Sequence, residues 1–483
     1  MDVSRITPSV LTEDRLDASY YGTRYLQNES FLKGCGIPMA PVGTLTDKCN
    51  CGATPKEVVY DGKGTGLVRT TDVRPNVFLA EGVLRTSELR VSQEASVAAV
   101  PGDLLYTMSG TIGYAAVIHD GVDVVSFSNT IARARFAART GQDARFTASF
   151  FNCKYGYTQS LRLVSGGIQG HVMPNPFKRL AVPTPAPDSQ RYIGDKVWQA
   201  ERLRERARRL EAQAHSALAE WSGSVVPPTF RETPRRILAA TASPHSLGPS
   251  FAWAMQGHSD VPGAKPLNSL IESCASGEPI RADQRTPGPY LYYGASGPID
   301  THNEYNFEGE YLVVAQDGTI GRACVARGRF WANNHVWVLK VREAVDPDAI
   351  AAYLDKHYVY WPGLTTGSVV PKVTSENLML AAIPGAVASA SDAGAKFRSA
   401  NSLGSAAEEL VDAAKLLVEH LIEGRLNEAD LVAAQKALEA GDRSADREIL
   451  KALRQTDAGD AKPLIADVDA LYALLDGSER QDA

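Results

Sequence analysis

Two stretches of the chain repeat apolar residues in steps of three and four. In residues 189–221 they are Ile193, Val197, Ala200, Leu203, Ala207, Leu210, Ala214, Ala217 and Trp221. In residues 395–423 they are Phe397, Ala400, Leu403, Ala407, Leu410, Ala414, Leu417 and Leu421. That spacing puts each set on one narrow helical stripe, the seam of a coiled coil rather than the broad face of a core helix. Alone, each helix would expose its seam, so the two are expected to pair antiparallel and hold what flanks them at opposite ends of a rod. At 1.5 Å per residue the first helix would reach about 50 Å. Arg202, Arg204, Arg206, Arg208 and Arg209 read as its solvated side, offset by Glu201, Glu205 and Glu211.

The pattern elsewhere is different. Residues 15–187 carry short β-branched and aromatic runs (Leu67-Val68, Val77-Phe78-Leu79, Val122 to Phe127) broken by Gly, Asp and Pro, which predicts strands. Pro183, Pro185 and Pro187 are expected to stop both strand and helix. Residues 223–266 read as a Pro/Ser/Gly-rich linker with one short helix at 233–240, and a second module follows at about 267–386. The C-terminal segment predicts helices at 426–440, 446–453 and 467–475.

The two modules share three blocks in one order. Gly110-Thr111-Ile112-Gly113 returns as Gly318-Thr319-Ile320-Gly321, each after an apolar run. Phe127-Ser128-Asn129-Thr130-Ile131 lines up with Trp331-Ala332-Asn333-Asn334-His335-Val336. Gly170-His171-Val172-Met173-Pro174 is set against Gly367-Ser368-Val369-Val370-Pro371. One such block is weak evidence, because any tight hairpin uses glycine for positive φ. Three in order, twice, each leading into a long helix, indicate a duplicated domain. Two similar but diverged modules suit two similar but different targets.

Composition changes this picture little. The 483 residues have room for about three domains, and 44% apolar with 22% charged residues is ordinary globular usage. No apolar stretch is long enough to span a bilayer and the N-terminus lacks the regions of a secretory signal, so a cytoplasmic protein without a membrane partner is expected. Six cysteines make no disulfide framework, and Cys35, Cys49 and Cys51 lack a fourth metal ligand nearby, so reduced thiols are expected. The net charge of −6 opposes nonspecific coating of nucleic acid, but residues 425–483, with 13 acidic and 8 basic side chains, account for nearly all of it. The near-neutral remainder can still present local basic grooves.

In this arrangement the chain resembles the specificity subunit of type I restriction-modification enzymes, over roughly residues 15–424. Gly66-Leu67-Val68-Arg69-Thr70-Thr71-Asp72 resembles that family's early strand and Arg-Thr-Gly-Asp element, with Thr71 where glycine is usual. Tyr290-Leu291-Tyr292-Tyr293-Gly294-Ala295-Ser296-Gly297 resembles its tyrosine- and glycine-rich version. Gly102-Asp103-Leu104-Leu105 and Gly309-Glu310-Tyr311-Leu312 precede the Gly-Thr-Ile-Gly blocks as in the family, and Ala181 to Pro183 and Ala382-Ile383-Pro384 resemble its module-closing Ile-Pro.

The resemblance implies an α+β protein: two strand-rich target recognition domains separated by a pair of long antiparallel coiled-coil helices, plus a small helical tail. The boundaries are 1–187 and 267–394 for the domains, 188–222 and 395–424 for the spacer helices, 223–266 for the linker and 425–483 for the acidic tail. It implies a non-catalytic subunit that reads a bipartite double-stranded DNA target. Two adenine methyltransferase subunits and the restriction/translocase subunits would be its partners. S-adenosylmethionine, Mg2+ and ATP would belong to those partners, and this chain would hold no cofactor or metal. A two-module protein-binding adaptor in a phage-defence assembly is the alternative reading, favoured by the acidic tail.

Base reading needs Arg or Lys for guanine, Asn or Gln for adenine, and short hydroxyls for either. In the first module the loop candidates are Lys63, Arg69, Thr70, Thr71, Arg74, Thr111, Gln169, His171 and Asn175. In the second they are Tyr292, Tyr293, Ser296, His302, Asn303, Gln316, Thr319, Thr365, Thr366, Ser368 and Lys372. Asn129 and Asn333 are expected to bond neighbouring turns internally. The glycine-cornered turns have a structural role first, with close approach to phosphate a second one. Asn175-Pro176-Phe177 is one proline short of the methyltransferase motif, and neither a cofactor-binding glycine motif nor a Walker-type sequence is found, so no catalytic site is expected.

Overall fold

The computed structural model describes residues 17–55, 59–89, 95–165, 170–219, 251, 254–255, 263–358, 360–367, 371–455 and 462–482. The described chain divides into two units, and the boundary cuts both long helices. The first unit holds residues 1–204, 405–455 and 463–483, and the second holds 205–404 and 456–462. The helix expected at 233–240 lies outside the described residues.

The first module opens and closes on one pair of strands, Met39–Pro41 against Ala181–Pro183. Between them lie two four-stranded sheets. One runs Thr46–Cys51, Ile131–Phe136, Leu104–Thr107, Ala115–Val117, all antiparallel. The other runs Leu84–Thr86, Thr65–Val68, Val125–Phe127, Ala98–Ala99, with the middle pair parallel. Val68, Leu105, Ala116, Val125, Phe127 and Ile131 fill the core between them. Helix content exceeds the strand-rich expectation. Helix α1 (Thr23–Gly34) packs near α3 (Lys154–Arg162), with Arg162 paired to Glu29 at 2.6 Å. Helix α2 (Ala144–Asn152) starts where the Asp143 carboxylate accepts from the Phe146 N–H at 2.7 Å. The proline run does not stop the chain: Pro187 is the first residue of α4 (Pro187–Ala219), because the first helical position needs no backbone donor.

The second module repeats this plan. Lys265–Pro266 pairs with Ala382–Ile383 as opening and closing strands. One six-stranded sheet follows the order Ile271–Ser276, Val336–Val341, Phe307–Ala315, Ala323–Ala332, Tyr290–Gly294, Gly297–His302. Its first four strands reproduce the first sheet of the other module. The parallel pair recurs too, since Leu291 faces Phe330 as Leu67 faces Ser126. The long strand Ala323–Ala332 does the work that two short strands share in the first module, and this fuses two sheets into one. Helix α5 (Pro347–Lys356) begins at Asp346, whose carboxylate accepts from the Asp348 and Ala349 N–H groups. Asn152 and Asp355 then hold equivalent strand starts, accepting from Ala115 N–H and Ala323 N–H.

Helix α6 (Ser391–Ile422) pairs antiparallel with α4. In the first unit Arg204 of α4 reaches the Ala407 carbonyl of α6, while Ser189, at the start of α4, reaches the Glu428 carbonyl beyond the end of α6. In the second unit His215 lies against Phe397. Every seam position expected on α6 is buried, and so are Ala406, Val411, Ala413, Val418 and Ile422. The narrow stripe is therefore too narrow a description: in its second half α6 carries a broad core face. On α4 Ile193, Val197, Ala200, Leu203 and Ala214 are buried and Ala207 and Leu210 half-buried, after which Leu218 rather than Ala217 is the buried residue, and Trp221 lies outside the described residues.

The tail forms α7 (Glu428–Glu439), α8 (Ser444–Ala452) and α9 (Val468–Asp482), and it folds into the first unit. Asp446 is its anchor. The buried carboxylate takes the Lys196 ammonium at 2.6 Å, the Tyr192 hydroxyl at 2.6 Å and the Tyr472 hydroxyl at 2.5 Å. The Lys196 charge, with the hydrogen bonds from Lys196, Tyr192 and Tyr472, outweighs burial and holds that carboxyl below its ordinary pKa.

Candidate functional site

In each module four separate segments are tied together at the ends of the central strands. In the first, Ser128 N–H donates to the Val68 carbonyl, Met108 N–H to Thr130, and Val172 N–H to Met108. In the second, Asn333 N–H donates to Tyr293, Gln316 N–H to His335, and Val373 N–H to Gln316. These bonds fix the correspondence of Ser128 with Asn333, Thr130 with His335, Ser109 with Asp317 and His171 with Lys372. Isolated bridges between Ser109 and His171, and between Asp317 and Lys372, repeat it.

This corrects the third sequence block. Ser165 Oγ donates to the His171 carbonyl at 3.3 Å, and Thr366 Oγ1 donates to that of Lys372 at 3.4 Å. In both, the hydroxyl reaches a carbonyl six residues on, so Ser165 corresponds to Thr366 and Gly367 does not correspond to Gly170. The glycine-and-proline match was a four-residue slip, invisible until backbone pairing set the register.

The Gly-Thr-Ile-Gly segments are tight turns with both glycines at positive φ: 71° and 89° for Gly110 and Gly113, 68° and 84° for Gly318 and Gly321. A Cβ on Gly113 would meet Ser160, and one on Gly321 would run into the Trp361 ring. Each turn lies beside the loop that follows the parallel strand. A Cβ on Gly110 would sit 3.6 Å from Thr70 Oγ1, and one on Gly318 would sit 3.6 Å from Ala295 Cβ. Thr319 donates its hydroxyl to the Ala295 carbonyl. Thr111 is half-buried, and its own hydroxyl has no partner among the described residues.

The candidate residues separate on this geometry. Lys63, Thr71, Arg74, His171, Asn175, Ser296, Asn303, Thr319, Thr366 and Lys372 are exposed; Thr70, Gln316 and Thr365 are half-buried. Gln169 and Ser368 lie outside the described residues. Arg69 is already engaged: its guanidinium donates to both Asp72 oxygens and to the Gly82 carbonyl, which braces the turn rather than reaching outward. Gln316 likewise spends its amide on the Asn334 carbonyl. Tyr292, Tyr293 and His302 are not loop residues. They lie on strands and are buried, with the Tyr293 ring edge-on to Phe330 and His302 edge-on to Trp331. Burial pushes the Tyr293 hydroxyl well above its usual pKa. Tyr292, Tyr293 and Gly294 are buried in succession, so this strand is covered on both faces and shows no alternation, and flanking glycines make it look like a loop. Asn129 and Asn333 bond internally as expected, to Thr54 and to the His335 N–H.

The structure adds a group that sequence reasoning did not assemble. Asp317 accepts from His335 Nδ1 at 2.7 Å and from Lys372 Nζ at 3.3 Å. Its carboxylate is 10% exposed, whereas the His335 and Lys372 side chains are 49% and 56% exposed. At the same three positions the first module has Ser109, Thr130 and His171. The available signal was an acidic residue immediately before the repeated turn in one copy and a serine in the other.

Among the described residues no three His, Cys, Asp or Glu side chains are grouped to hold a metal ion, and Cys35, Cys49 and Cys51 are free thiols. No described helix is long and apolar enough to cross a membrane.

Residues 264–384 match the family model described as Type I restriction modification DNA specificity domain. A putative type I restriction enzyme specificity subunit of Haemophilus influenzae, S.HindORF215P, is 33% identical over 95 residues. That stretch is 19% of this chain and only 25% of the relative's length. Among solved structures, the type I restriction-modification S subunit from M. genitalium aligns with 80% of this chain and 96% of its own, at 13% identity and a TM-score of 0.40. The HsdS subunit from Thermoanaerobacter tengcongensis aligns with 85% and 97%, at 16% identity and a TM-score of 0.24. The resemblance read from the sequence is thus borne out by a domain-family match over the second module and by a partial curated relative.

Proposed function

We propose that this chain, whose second module carries a type I restriction-modification specificity domain, is the DNA sequence-recognition subunit of such an enzyme. Each module reads one half of a bipartite target. The observation that carries this reading is the duplicated frame with diverged heads: the same four segments meet by the same backbone bonds, while the side chains they expose differ. Rigid strands position short loops, and the loops supply donors and acceptors for base edges in a groove. The readers proposed are the other exposed and half-buried side chains of the converging segments, with Arg69, Tyr292, Tyr293, His302 and Gln316 as their scaffold.

The methyl transfer and any restriction belong to partner subunits, which carry S-adenosylmethionine, Mg2+ and ATP, and the work is done in the cytoplasm. Two methyltransferase subunits would match the two modules. The test is an exchange of residues 15–187 for the corresponding module of a relative, followed by sequencing of methylated sites in the host. One half of the methylated motif is expected to change while the other half and the gap persist. A change in both halves, or in neither, overturns independent reading by two modules.

A further inference from the structure

Asp317, His335 and Lys372 come from three different segments of the second module, and only the fold brings them together. The carboxylate is covered while both of its partners face solvent. Asp317 sits in a fixed frame, one residue after Gln316, whose N–H and C=O are both held, by His335 O and Val373 N. An imidazole that donates Nδ1–H to a carboxylate is set in orientation and tautomer, leaving Nε2 outward. A lysine held by the same carboxylate loses much of the rotamer freedom that makes exposed lysines poor readers.

Charge decides what such a group can recognise. A phosphate site built around a carboxylate would work against itself, because Asp317 cancels the Lys372 charge that a phosphate needs. A base edge asks instead for fixed donors and acceptors. Accordingly we propose that Asp317 is a positioning residue that presents Lys372 and His335 to one base pair of the second module's half-site, with the Lys372 ammonium donating to guanine O6 or N7. This rests on the DNA-recognition reading above. The first module places Ser109, Thr130 and His171 on the same frame, a set with no carboxylate and no ammonium, so its half-site is read by other chemistry.

The experiment uses the full chain assembled with its methyltransferase subunits. The methylated motif of the wild-type complex is determined first, and then those of Lys372→Ala, His335→Ala and Asp317→Asn. Lys372→Ala is expected to relax one position of one half-site, lowering discrimination for guanine there about 5- to 150-fold. Asp317→Asn is expected to relax the same position, and the Asp317→Asn/Lys372→Ala double variant to be no worse than Lys372→Ala. The other half-site stays intact throughout, an outcome that general destabilisation would not produce. Should Asp317→Asn fold poorly, the exposed Lys372→Ala still decides. An unchanged motif in Lys372→Ala overturns the proposal. So does a loss uniform across all sequences with a salt slope smaller by about one, the mark of a phosphate contact. A wild-type complex with no discrete bipartite motif would instead sink the recognition reading, and the proposal with it.

Discussion

Glycine positions separate two physical demands at the scale of single residues. Gly194 in α4 is required by a neighbour: a Cβ there would stand 2.5 Å from Asp143 Oδ1, the carboxylate that caps α2. Gly394 meets the capping Asp346 in the same way, so a long-helix glycine that accommodates an earlier helix's cap is part of the duplicated unit. Gly404, also within α6, has open space where a Cβ would go. Gly194→Ala is expected to lower stability by about 1–2 kcal/mol, because displacing an N-cap outweighs the gain in helix propensity. Gly404→Ala should raise it by up to about 1 kcal/mol. Thermal melts of the two variants side by side check the pair, and stabilisation by both would refute the cap argument.

Where elements meet, a histidine pair ties α4 to the end of α5. His215 Nδ1 and His357 Nε2 are 3.1 Å apart, a bond that needs one proton between two rings. Glu211 lies 3.4 Å from His215 and 3.1 Å from Lys356, and the Tyr353 and Phe397 rings complete the surroundings. Burial, then the neighbouring His215 and Lys356, depress the His357 pKa to about 4. The unfolded chain takes up this proton near the ordinary histidine value and the folded chain does not, so unfolding gains protons between those two values. Stability of the second unit is therefore expected to be full above about pH 6.5 and to fall as pH drops toward 4. His357→Phe should flatten that part of the curve. Melting midpoints from pH 7.5 to 4.5 read the slope, and equal slopes in both proteins would remove His357 as its source.

For the molecule as a whole, the acidic tail is part of the first unit's core and not an appendage. Lys196 and Asp446 are 1% and 2% exposed, so removing either partner strands a buried charge. Asp446→Ala is expected to cost about 3–5 kcal/mol, and Lys196→Met with Asp446→Leu less, since that pair strands no buried charge and only the Tyr192 and Tyr472 hydroxyls lose their acceptor. Melts of the three proteins test this. Deleting residues 425–483 should likewise weaken the first unit while leaving any residual methylated motif unchanged, because no converging loop lies in the tail. A changed motif would move recognition there.

The sequence by itself determined the duplication, the two long helices, their antiparallel pairing and the helical tail. These rest on local periodicity and on repeated turn chemistry, which a chain carries wherever it folds. Helices α2 and α5 escaped notice because nine and ten residues give too few turns for a helical period to stand out among short strands. The tertiary structure alone decided the third block's register, which strand ladders set across more than 50 residues. It also decided which polar residues reach solvent. Arg69 and Lys372 read alike as loop cations, yet one braces Asp72 and the other stands outward beside Asp317. A side chain's partner is fixed by what the fold brings within hydrogen-bond reach, and no spacing along a single chain encodes that distance.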